Sequence, residues 1–70
     1  MKSAPKQSPL TLAEAVLKSI PAQPYAGLVS TSEALATVRT LLPLDPHSDE
    51  EIVIMIAEAA IERFLAVSFD

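Results

Sequence analysis

Ser48-Asp-Glu-Glu-Ile-Val-Ile-Met-Ile-Ala-Glu-Ala-Ala-Ile-Glu-Arg-Phe-Leu65 is the stretch that decides the fold. It opens on a serine that stands three residues ahead of Glu51. That spacing fits a helix start in which the hydroxyl accepts from the third helical N–H and the Glu reaches back to the cap's own N–H. Asp49, Glu50 and Glu51 fill the first turn, where negative charge meets the positive end of the helix dipole. The spacing predicts a helix from Asp49 to about Leu65.

On a helical wheel Glu51, Glu58 and Glu62 share one stripe, with Met55 between them. Nearly everything else is apolar, over roughly two thirds of the circumference, against about 100° for an ordinary surface helix. Such a helix belongs at the centre of a domain. The rest of the chain supplies two short helices to cover it. Thr11 precedes Glu14, and Ser30 precedes Glu33, by the same three residues. Helix 1 is expected over about 12–19, ending before Pro21, and helix 2 over about 31–42, ending before Pro43. The residue before a proline avoids the α region, which is why those positions close the helices.

The expected fold is therefore all-α. It is one small three-helix domain over residues 10–70, with helix 3 (about 49–65) central and helices 1 and 2 packed on it. Residues 1–9, with two prolines, two lysines and two serines, read as a disordered tail. Residues 66–70 read equally as frayed helix or as a short extended tail. Tyr25 lies in the connector between helices 1 and 2, and is expected over the seam of those helices with its hydroxyl in water.

A chain of 70 residues is one domain of marginal stability. It has no Cys, so no disulfide or thiolate metal site can support its core. Its start is polar and lacks the apolar stretch of a secretory signal, and no apolar run approaches the ~20 residues that span a bilayer. The chain reads as soluble and cytoplasmic.

Nothing in the sequence forms a catalytic, cofactor or metal set. His47 lies between Asp45 and Asp49, but the loop holds two prolines and the chain has no second His. Ser48 is committed to capping, which removes the one serine adjacent to that His as a nucleophile.

Charge and surplus apolar surface point elsewhere. Seven of the nine acids fall in residues 44–70, beside a single basic residue, Arg63. An acidic half repels phosphate backbones and attracts basic surfaces. Two short helices cannot cover two thirds of a third, and a large open apolar patch marks an interface. The candidate partner-binding residues are Glu51, Ile54, Met55, Glu58, Ile61, Glu62 and Leu65. The expected function is that of a small acidic, non-enzymatic regulatory protein that binds another protein through a basic or apolar groove. An inhibitor or antiactivator of a transcriptional regulator is its most concrete form. The alternatives are a structural homodimer and a helix-turn-helix DNA reader built from helices 2 and 3. The DNA reader lacks the Arg, Lys, Asn or Gln that a recognition helix presents near its start.

Overall fold

The computed structural model describes residues 10–70, and the expected N-terminal tail lies outside the described residues. Three helices and two short strands follow in the order α1 (Leu12–Lys18), β1 (Leu28–Ser30), α2 (Thr31–Leu41), α3 (Asp49–Glu62) and β2 (Ala66–Ser68). The fold is mostly helical, but it is not purely α.

Each helix starts where a hydroxyl side chain can cap it. Thr11 Oγ1 accepts from the Glu14 N–H at 3.1 Å, and Glu14 Oε1 accepts from the Thr11 N–H at 2.9 Å. Ser48 and Glu51 make the same reciprocal pair, both bonds at 3.1 Å. The third cap differs from expectation. Ser30 Oγ accepts from the Glu33 N–H, but Glu33 does not reach back. Ser30 is also the last residue of β1, and a distant carboxylate serves this helix start instead. Asp70 accepts from Ser30 Oγ at 2.7 Å, from the Ser32 N–H at 3.1 Å and from Thr31 Oγ1 at 3.4 Å. The Ser30 and Ser32 hydrogen bonds hold the Asp70 carboxyl down to about 2.

That shift makes a pH prediction. A carboxylate whose folded pKa lies below its unfolded value contributes stability that is complete above the unfolded value and is lost as pH falls through the folded one. The window runs from the ordinary 3.8 down to about 2. The Tm of the wild type should drop across this window, while Asp70→Asn should start lower and fall less. Parallel melts from pH 5 to pH 2 check this; identical slopes would dismiss the contribution of Asp70.

The C-terminus of α3 departs furthest from the sequence reading. The helix stops at Glu62 rather than about Leu65, with no proline or glycine to stop it. Phe64 takes a left-handed backbone, φ 59°. The Leu65 N–H then bonds back to the Ala60 carbonyl, and the Phe64 N–H to the Ile61 carbonyl, both at 2.9 Å. These are the two bonds of a Schellman cap, a position that usually carries glycine. The cap turns the chain so that β2 runs alongside β1. The strands pair in parallel, Leu28 with Ala66, Val29 with Val67 and Ser30 with Ser68. A parallel pair needs a long crossover, and α2 and α3 together supply it.

Each helix packs against the other two, while β1 packs on α2 and β2 on α3. The core is formed by Ala15, Val16, Ile20, Val29, Ala34, Val38, Ile52, Ile56, Ala60 and Leu65. Thr31 is the one buried polar residue among the described residues, and its hydroxyl reaches Asp70. No buried side-chain nitrogen or oxygen among the described residues lacks a partner.

Candidate functional site

Which side of α3 faces outward follows from the core. Ile52, Ile56, Ala57 and Ala60 point inward and are buried. The opposite side presents Glu50, Glu51, Ile54, Glu58, Ile61 and Glu62, all exposed. Ile54 and Ile61 keep 54% and 64% of their surface in solvent, an unusual state for two isoleucines on one helix face. They stand two turns apart, about 10.5 Å along the axis.

Of the seven residues the sequence nominates, Glu51, Ile54, Glu58, Ile61 and Glu62 share this outward face. Met55 is half-buried at its edge, packed against the core. Leu65 does not belong to it. It is 5% exposed, because the Schellman turn carries it off the helix and into the core. Sequence reasoning placed Leu65 on the face by extending α3 through the turn.

Beside the face runs a shallow groove of about 210 Å³ between α1 and α3. Ala13, Val16 and Leu17 of α1 and Met55 and Ala59 of α3 line it, with Glu58 and Glu62 at its edge. Sequence reasoning did not nominate Ala13 and Leu17. The signal available was Leu17, which α1, a helix of only seven residues, is too short to bury fully; it remains 44% exposed.

The face is acidic and unneutralised. Among the described residues only Asp49 pairs with a permanent cation, Arg39, while Asp45 contacts the His47 ring. Glu51 is engaged with its own cap, and Glu50, Glu58 and Glu62 project freely. Arg63, the one basic residue next to the stripe, is held elsewhere: its guanidinium donates to the Pro21 carbonyl at 2.8 Å.

Other candidates hold together less well. Asp45, His47 and Asp49 do not converge. Asp45 Oδ1 accepts from the His47 N–H at 2.8 Å and lies 2.7 Å from His47 Nδ1, whereas Asp49 takes the Arg39 fork. The backbone N–H of His47 draws the Asp45 carboxyl below its usual range. Arg39 also donates to the carbonyls of Asp45 and His47, so it clamps the α2–α3 link rather than facing outward. The first turn of α3 accordingly offers a nucleic acid Asp49, Glu50 and Glu51, all exposed. A second concavity, about 240 Å³ beside β1 and α2, has Glu33 as its only ionisable lining residue.

Tyr25 is not over the helix 1–helix 2 seam. Its N–H donates to the Arg63 carbonyl at 3.1 Å and its ring stacks on Phe64, centroids 4.9 Å apart and planes 9° from parallel. Both residues have positive φ, 61° and 59°. Each such residue costs about 1–2 kcal/mol, and the stack returns about 0.5–1.5 kcal/mol. Phe64→Gly relieves strain and loses the stack, so its Tm should stay within a few degrees of wild type. Phe64→Val loses the stack and worsens the strain, since β-branched residues tolerate this region least. It should be about 1–2 kcal/mol less stable than the glycine variant. Thermal melts of both decide it, and equal Tm values would contradict the strain.

Among the described residues no helix is long and apolar enough to cross a membrane. No known family model, curated protein or solved structure matches the chain.

Proposed function

We propose that the chain is a small acidic, non-enzymatic regulatory protein that binds another protein through the outward face of α3, and that it acts in the cytoplasm as an inhibitor or antiactivator of a transcriptional regulator. One observation carries the reading: Ile54 and Ile61 are exposed on a face whose other members are carboxylates. Apolar anchors inside a polar rim are the usual anatomy of a binding surface. The acids add steering toward a basic partner and reject acidic ones. They also repel the same face of a second copy, which weighs against the homodimer.

Capture of the tagged protein with its partner from nuclease-treated native cells tests the proposal, with Ile61→Ser run in parallel. Ile61 is 64% exposed, so the variant should fold, and circular dichroism verifies that. A protein retained by the wild type and lost by Ile61→Ser supports the reading. Recovery of the bait alone, or equal recovery by both, rejects it.

A further inference from the structure

We infer that the occupant of the α1–α3 groove is a basic amphipathic helix, an inference that rests on the protein-binding reading above. The groove lies between two helices, and the shape that fills such a furrow is a third helix, its side chains seated as ridges between theirs. Its anchors are set out at helical spacing. Met55 and Ala59 lie one turn apart on its α3 wall, and Leu17 stands across from them on α1. A helix with apolar residues at i, i+3 or i+4, and i+7 meets all three, whereas an extended strand alternates its side chains between opposite faces and meets a groove of this kind with only half of them.

Charge selects the helix's other face. Glu58 and Glu62 edge the groove, and Glu50 and Glu51 extend the same field toward the start of α3. From α1 come Glu14 and Lys18, of opposite sign, which leave the balance unchanged. Arg63 is held at the Pro21 carbonyl. The surface that meets the partner is therefore negative, and it suits lysines or arginines flanking an apolar stripe. A second copy of this chain does not meet that description on its α3 face, because its own flanking charges there are carboxylates.

The probe is a fluorescein-labelled Leu/Lys peptide of about 18 residues, five helical turns, with leucines confined to one face. Its controls are a scrambled peptide of the same composition and one with Glu for every Lys. Anisotropy titrations with the full chain should rank the amphipathic peptide at least about tenfold tighter than the scramble, a difference of about 1.4 kcal/mol. The Lys-to-Glu peptide should not bind. Amide shifts in ¹⁵N spectra should centre on Ala13, Leu17, Met55, Glu58 and Ala59. Glu58→Lys with Glu62→Lys should weaken binding at least about tenfold and flatten its dependence on salt, since exposed charges are what salt screens. Both positions are solvent-exposed, and circular dichroism confirms that the double variant is folded.

Equal binding of the scramble, shifts centred away from the groove, or indifference to the double charge reversal would overturn the basic helix. So would concentration-dependent shifts of the same residues without peptide, which would give the face to a second copy. Failure here is separable from failure of the proposed function. If a cellular protein is captured through Ile61 while the Leu/Lys peptide does not bind, the helical basic partner is wrong and protein binding stands; if neither occurs, both fall.

Discussion

Leu65→Asp is expected to leave the chain largely unfolded at room temperature. Leu65 is 5% exposed and packed against the core, so aspartate there removes an apolar side chain and leaves a carboxylate with no partner. Deleting a buried leucine side chain alone costs about 2–5 kcal/mol, and the stranded polar group adds several more. A 70-residue domain has only about 4–10 kcal/mol in total. Ile56→Ala, at a fully buried position on the inner side of α3, should cost about 2–5 kcal/mol and lower Tm by 10 °C or more. Far-ultraviolet circular dichroism and melting curves read both. A folded, cooperative Leu65→Asp with near-native Tm would mean that Leu65 lies outside the core and that the turn at Phe64 is wrongly placed.

Serine at both Ile54 and Ile61 should do the reverse, sparing the fold and removing the interaction. Both side chains are more than half exposed, and Ile and Ser have similar helix propensity, so the cost in stability should be small. Anchors at the centre of an interface each contribute on the order of 2 kcal/mol. Two of them about 10 Å apart combine almost additively, so affinity for the captured partner should fall by roughly a hundredfold to a thousandfold. Retained affinity in a folded double variant would remove these isoleucines from the binding surface. The contrast between Ile56 and Ile54, two residues apart on one helix, is the sharpest separation of core from contact that this chain permits.

Local chemistry was legible in the sequence, and distant pairing was not. Ser48 with Glu51 and Thr11 with Glu14 form the reciprocal caps that their spacing implies, and the ends of α1 and α2 fall within a residue or so of expectation. Each of those features depends on residues within one helical turn. The end of α3 depends on Phe64 adopting a conformation that glycine would have advertised and phenylalanine conceals. The strands are three residues long, too short for an alternating pattern, and Leu28-Val-Ser30 is recognisable only beside Ala66-Val-Ser68. Within the site, the outward face was readable from helical periodicity. The groove was not, since it requires the placement of α1 against α3. Leu65 was misassigned for one reason, the unadvertised turn.

The bonds from Asp70 to Ser30 and Ser32 have a kinetic consequence. They and the β1–β2 pair join segments about 40 positions apart, so they close a loop that encloses both longer helices. Closing such a loop is entropically costly until the helices inside have docked, and contacts of this range slow folding relative to a plain helical bundle. The C-terminal strand should therefore be the last part to assemble and the first to detach. In native-state hydrogen exchange, the amides of β2 should lose protection at free energies below that of global unfolding, while those around Ile56 report the full value.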